Sequence, residues 1–389
     1  MALPGELVRI ATVNEKAQMV RARVEEVLEP SPERVAPRCP HFGACGGCHY
    51  QHAGYEFQVA QKREIVRDVL RRVGRIDWTA DIPAVTAEPW AYRNRIQLHF
   101  DERKMGFHAA GSHTVEAIRS CDVASLRLQE AIAALREMKR SPRWPRFVKS
   151  IELFTNEEQT QVNVLDSGPQ RINRGFFEWC EAQPALAGAF APALDYAVGD
   201  GKHRFRVSHK SFFQVNRFLV DKLVEVAIDG AQGGGRAALD LYAGVGLFSL
   251  PLAAEKGFAQ VTAVEAVNSA SADLVFNAER HGLQDQIRSV KARTEDYLDS
   301  EAVASGPRPA FVIADPPRVG LGKQVVDGLR RLGAQRVHIV SCDPPTLARD
   351  LAGLIAEGDG GGYRLESVTM VDLFPQTSHI EVVAKLARD

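Results

Sequence analysis

From residue 211 onward, nearly continuous apolar runs alternate with amphipathic ones, and this rhythm constrains the fold more than any other feature of the chain. AALDLYAG, QVTAVEA, IRSVKA, AFVIADPP and RVHIVSCDPP are each followed by a stretch with helical spacing. Strands apolar on both faces must be covered on both, and helical crossovers make neighbouring strands parallel, so the pattern predicts a doubly wound α/β sheet. YRLESVTMVDLF and HIEVVAKLA supply two closing strands. Ligands of such sheets sit at the carboxyl ends of the strands, which points to the loops after Leu241, Val264, Ile313 and Val340. Glycine runs at 233–235 and 357–362 read as turns.

The upstream sequence has a different texture. Residues 1–38 alternate apolar and polar positions and end in a proline-rich stretch, read as two or three short strands and a linker. Residues 54–74 carry Val59, Ile65, Val66, Val69, Leu70 and Val73 at helical spacing, an amphipathic helix ended at Gly74. Short strands (RNRIQLHFD, KMGFHA, SIELFTN, TQVNVLD) around a helix from Ser125 to Met138 predict an antiparallel α+β domain over 39–207, followed by the α/β domain at 208–389. A length of 389 residues fits this division, at roughly 150 residues per domain. The net charge of −1 speaks against binding nucleic acid by bulk charge and leaves room for a local basic patch. Arg93, Arg95, Lys202, Arg204, Arg206, Lys210 and Arg318 are the candidates. No apolar run is long enough to cross a bilayer and the N-terminus carries no apolar leader, so the expectation is a cytoplasmic chain without membrane contact.

The six cysteines are Cys39, Cys45, Cys48, Cys121, Cys180 and Cys342. Three fall within ten residues, in CPHFGACGGC, where glycines let the backbone wrap closely around a bound group. Thiolates at this spacing suit an iron-sulfur cluster, with Cys121 available as fourth ligand. Structural zinc is the alternative, completed by His41, His49 or His52. Cys180, among aromatic residues, reads as a buried apolar thiol.

The strand ends carry the remaining chemistry. In Asp240-Leu-Tyr242-Ala-Gly244-Val-Gly246 a carboxylate precedes a glycine turn that opens a helix, which suits close approach of a nucleotide; the third glycine of a dinucleotide fingerprint is absent. Glu265 ends the next strand, where a carboxylate grips a ribose diol. In Asp315-Pro316-Pro317-Arg318 the prolines fix a turn that presents the Asp315 carboxylate, and Arg318 stands where amino-group methyltransferases place an aromatic ring. Cys342 lies at a strand tip just before a helix start, a setting expected to lower its pKa and make it a nucleophile. His379 and Glu381 alternate onto one face near the C-terminus, either one a possible base, and Gln214 lies just ahead of the sheet.

Taken together, FFQVN, DLYAGVG, VEAV, ADPPR, SCDPPTLARDL and FPQTSHIE, in this order between Phe212 and Glu381, resemble the family of S-adenosylmethionine-dependent RNA uracil-5-methyltransferases. CPHFGACGGCHYQH is similar to its 4Fe-4S branch. The resemblance implies a Rossmann-like class I methyltransferase sheet, an α+β iron-sulfur central domain whose helix 54–74 packs on the catalytic domain, and a shortened N-terminal β segment of the TRAM or OB-like type. It implies Cys342 as the nucleophile at carbon 6 of uracil and Glu381 as the base at carbon 5. Gln214, Tyr242, Gly244, Gly246, Glu265 and Asp315 would line the S-adenosylmethionine site, and Cys39, Cys45, Cys48 and Cys121 would hold the cluster. Leu247 departs from the polar residue common after the second glycine. The implied partner is RNA, ribosomal RNA favoured over transfer RNA, handled by a monomer.

Overall fold

The computed structural model describes residues 1–16, 19–356 and 362–388. The expected sheet is present. Its strands, in chain order, are Ala237–Leu241, Gln260–Glu265, Ile287–Lys291, Phe311–Ala314, Arg336–Ser341, Arg364–Val371 and Glu381–Ala387. Across the sheet they run third, second, first, fourth, fifth, seventh, sixth. The first five are parallel, and Glu381–Ala387 is antiparallel to both its neighbours. The switch in strand order beside the first strand opens the crevice where such sheets bind ligands.

Local signals explain most of the element ends. Helix Pro344–Ile355 starts where Asp343 accepts the amide N–H of Thr346 at 3.0 Å and two prolines occupy the first turn, where their missing N–H groups cost nothing. The run TEDYLDSEAV, read as one helix, is two short ones, Thr294–Leu298 and Glu301–Ala304. They break at Asp299 and Ser300, and the Ser300 hydroxyl donates to the Tyr297 carbonyl at 2.6 Å, satisfying the frayed end. The glycine turn expected at 357–362 lies, apart from Gly362, outside the described residues.

The central domain is a five-stranded antiparallel sheet in the order Val115–Ala117, Met105–His108, Arg95–Phe100, Ser150–Thr155, Thr160–Asp166. Helix Leu126–Arg140 covers it, with Ser125 as its N-cap and Leu128, Ile132 and Leu135 fully buried. Cys180 is buried in the same core and its thiol is pushed up to about 12 by burial, an inert apolar residue. At the N-terminus, Leu7–Lys16 and Met19–Glu29 pair as a two-stranded ribbon whose Leu7, Ile10, Val13, Val20 and Leu28 are exposed.

Three features join the halves of the chain more closely than the sequence rhythm predicts. The ribbon Ala193–Val198 and His203–Ser208, placed by rhythm before a boundary at 207, buries Leu194, Tyr196, Val198, Phe205 and Val207 in the same core as Ala238, Ala263 and Phe311 of the catalytic sheet. That boundary therefore moves to the start of the ribbon, because its apolar face has the C-terminal domain as its cover. Ala84–Val85 adds an eighth strand parallel to Arg364–Val371, too short to show any period. Helix Tyr55–Arg72 sends Val66 and Leu70 into the core built on Val312, Ile339 and Leu347 of the catalytic domain.

Leu70 is 1% exposed in that shared core. Leu70→Ala is expected to lower unfolding stability by about 2–5 kcal/mol, measured as a lower urea midpoint followed by circular dichroism. A change within about 0.5 kcal/mol, the usual range at the surface, would contradict the packing.

Candidate active site

The glycine turn after the first strand is built for close approach. Gly244 has φ +56° with open space where a Cβ would stand, and Gly246 has φ +93°, where a Cβ would meet Leu250 at 2.9 Å. Tyr242 takes φ +61°, unusual for a side chain of its size, and turns the chain away from the strand. Glu265 accepts the amide of Gly244 at 2.8 Å and that of Val267 at 2.6 Å, locking two strand-end loops together with one carboxylate. Leu247 is buried in the hydrophobic core, which explains why a polar residue is not needed there. Gln214 is 5% exposed and donates from Nε2 to Asp315 Oδ2 at 3.3 Å, so the loop ahead of the sheet and the ADPPR turn meet in one crevice.

Sheet register brings the reactive residues together. Ser341 pairs with Val382, so Cys342 and Glu381 occupy the next positions on adjacent strands, and Asp315 follows Ala314 one strand further. This crowding of acids governs protonation. Burial first, then the Asp315 carboxylate, holds Glu381 well above the ordinary carboxylate range, opposed by Arg318. Burial raises Asp315 to about 7. It does the same to Asp240, whose Oδ2 accepts from Ser249 at 2.5 Å while Oδ1 is buried without a partner.

Cys342 departs from the sequence reading. Its thiol is pushed up to about 11, by burial first and then by the Glu381 carboxylate, with Arg318 acting in the opposite direction. The helix start cannot offset this. Pro344 and Pro345 have no N–H to offer, and the Thr346 amide is taken by Asp343. Arg318 is the cation that opposes the rise at both Cys342 and Glu381. Burial and then Arg318 push His379 down to about 4, leaving a neutral ring 3.4 Å from the Arg318 guanidinium.

Other basic candidates divide by exposure. Arg95 is largely enclosed, donating to the Ser211 carbonyl at 3.1 Å and lying over Phe154, and Arg206 lies over Phe276. Lys202, Arg204 and Lys210 are exposed.

The sequence reading missed the support of the loop before Glu381. Asp372 Oδ1 pairs with Lys62 at 2.7 Å, its Oδ2 accepts from Tyr55 at 2.9 Å, and Lys62 also donates to the Phe374 carbonyl at 2.9 Å. The available signal was Lys62 itself, a charge on the apolar stripe between Val59 and Val66.

All four expected ligand cysteines, Cys39, Cys45, Cys48 and Cys121, line one cavity of about 280 Å³, together with Arg93 and His379. The histidines suit a zinc site poorly. His52 lies off the cavity, His41 accepts the Arg119 amide at 3.1 Å, and His49 accepts that of Ser378 at 3.3 Å. Among the described residues no group of three or more His, Cys, Asp or Glu side chains is placed to hold a metal ion.

The sheet order, the glycine turn and the strand-end acids define a class I methyltransferase. The family model for tRNA (uracil-5-)-methyltransferase matches residues 194–389. The chain belongs to this family of S-adenosylmethionine-dependent RNA uracil-5-methyltransferases. It is 31% identical to an uncharacterized RNA methyltransferase of Aquifex aeolicus, over 99% of this chain and 92% of that one. It is 32% identical to the 23S rRNA (uracil(1939)-C(5))-methyltransferase RlmD of Pseudomonas putida, over 98% of this chain and 87% of that one. The structure of the Pyrococcus abyssi tRNA (uracil-54, C5)-methyltransferase, solved with S-adenosyl-L-homocysteine, superposes with TM-score 0.72 at 23% identity, over 99% of this chain and 94% of that one. Among the described residues no helix is long and apolar enough to cross a membrane.

Because Cys342 must shed a proton held to about 11, the single-turnover rate of thiol addition is expected to climb as pH rises through neutrality. Arg318→Gln removes the charge that favours thiolate and is expected to move the climb to higher pH. A pH profile that coincides with wild type would contradict this role.

Proposed function

We propose that the chain methylates carbon 5 of a uridine in 23S ribosomal RNA through a covalent cysteine adduct. The observation that carries the reading is the placement of Cys342 and Glu381 at consecutive register positions on adjacent strand ends, beside the glycine turn. The Cys342 thiolate adds to carbon 6, and the displaced π pair gathers on carbon 5 and its neighbouring carbonyl. Carbon 5 then bonds the methyl carbon, and the pair of the broken bond stays on the donor's sulfur. Glu381, in its ionised form, takes the proton from carbon 5; the ring double bond re-forms and the thiolate leaves. Carbon 5 of uracil is a weak nucleophile until the ring is made electron-rich, which is why a covalent step helps. A base inside a duplex cannot reach a buried thiol, so the target uridine is looped or flipped out.

Tyr242, Gly244, Gly246 and Glu265, with Gln214 and Asp315, form the bed for S-adenosylmethionine. Ribosomal RNA is favoured over the transfer RNA T-loop by relatives named RlmD at near full-length coverage. Cys39, Cys45, Cys48 and Cys121 hold a 4Fe-4S cluster, whose iron-thiolate bonds would tie the N-terminal segment to the central sheet. The strands of 1–38 act as a TRAM-like segment. One chain carries every residue required, consistent with a monomer, and an RNA substrate places the work in the cytoplasm.

Incubation with 5-fluorouridine RNA and S-adenosylmethionine is expected to trap a denaturant-stable adduct, absent in Cys342→Ala; an adduct retained by that variant would overturn the assignment. Mapping of 5-methyluridine in cells with and without the gene should show loss from 23S rRNA, whereas loss from transfer RNA alone would favour the T-loop reading. Anaerobically purified protein is expected to carry about four irons per chain, and stoichiometric zinc instead would refute the cluster.

A further inference from the structure

We infer that Gln58, Lys62 and Asp372 are positioning residues for Glu381: the helix Tyr55–Arg72 holds the 372–380 loop from behind and thereby places the catalytic carboxylate. The inference deepens the proposed function and rests on Cys342 as nucleophile and Glu381 as base.

Glu381 opens its strand at the last rung of the ladder, opposite Val371, where a pair frays unless the intervening loop is held. Asp372 is the next residue after Val371. Its carboxylate is 1% exposed and meets a Lys62 that is fully buried, and Tyr55 closes the other oxygen. A lysine removed from water with its charge intact needs its partners in fixed places, so the pair behaves as a rigid pin.

The middle of the loop is held by a second contact. Gln58 Nε2 donates to Gln376 Oε1 at 3.0 Å, and the Gln376 amide donates back to Gln58 Oε1 at 3.2 Å. Gln376 is itself left-handed, φ +67°, a conformation that persists when surrounding contacts impose it. The amides of His49 and Tyr50, in the cysteine segment, donate to the Gln376 carbonyl at 2.8 and 3.0 Å, and Tyr92 donates to that of Pro375 at 3.0 Å. The catalytic domain adds its own holds: Asn216 donates to the Leu373 carbonyl at 3.1 Å, the Thr377 hydroxyl and amide to that of Phe374 at 2.9 and 3.3 Å, and Arg318 lies 3.4 Å from His379.

Cys342 is held apart from the polar contacts of this clamp, because its flanking elements meet the helix Tyr55–Arg72 through the apolar Val66 and Leu70 and not through Gln58 or Lys62. It lies between the strand Arg336–Ser341 and the helix Pro344–Ile355, whose cap is internal. Loosening the clamp therefore displaces the base and leaves the nucleophile in place. Addition to carbon 6 and methyl transfer proceed, while proton removal from carbon 5, and with it release of Cys342, is slowed.

The test uses full-length Lys62→Met and Gln58→Ala, with Glu381→Gln as the reference, each mixed with ordinary uridine RNA transcript and S-adenosylmethionine. Protein-RNA adduct is followed by denaturing gel. Both variants are expected to form adduct at the wild-type rate and to accumulate it. Release is expected to slow by about 100-fold in Lys62→Met, the order that a misplacement of about 1 Å costs, and by less in Gln58→Ala. Gln58→Ala keeps a good helix former and the buried ion pair, so it decides the matter if Lys62→Met fails to fold. Equal slowing of formation and release, or no accumulation in Gln58→Ala while Glu381→Gln accumulates adduct, overturns the inference. Absence of adduct in Glu381→Gln overturns the assignment of the base, and the positioning inference with it.

Discussion

The buried pair of Lys62 and Asp372 is the interaction on which the arrangement of the active site depends. Each charge taken out of water costs several kcal/mol, and only a close partner with further hydrogen bonds offsets that cost. Here the partners come from two distant stretches of chain: Lys62 and Tyr55 from the N-terminal helix, Asp372 and the Phe374 carbonyl from the loop between the last two strands. A hydrophobic pair would have filled the space without fixing a direction. The ion pair ties the loop to the helix, so the N-terminal half backs the loop that leads to Glu381.

The same economy of charge governs the reacting groups. Asp240, Asp315 and Glu381 are all raised, chiefly by burial. Cys342 is raised with them. Arg318 is the nearby cation that opposes the rise at Cys342 and Glu381.

Much of this was legible in the sequence, for physical reasons that differ by element. The parallel strands announced themselves because burial on both faces requires continuous apolar runs, as in FVIA and RVHIVS. Cys342, Asp315 and Glu265 were readable once those strands were placed, since strand ends fix where side chains gather. Ala84–Val85 was not, because a two-residue strand has no period and is defined by its partner. The ribbon from Ala193 to Ser208 alternates like any antiparallel strand pair, and its own residues do not say which core covers it. The thiol's protonation was misread because the local signal, a helix start, is weaker than burial and acidic neighbours contributed by other strands. Lys62 was visible as a charge on an apolar stripe, but its partner lies 310 residues away.

The central claim is that the loop before Glu381 is part of the rigid core rather than a surface turn. Native-state hydrogen exchange of the Gln376, His49 and Tyr50 amides tests it most directly. The account predicts that these amides exchange only through global unfolding, as slowly as those of Val382 and Val383 in the adjoining strand. Exchange at the rate of an exposed loop would contradict it.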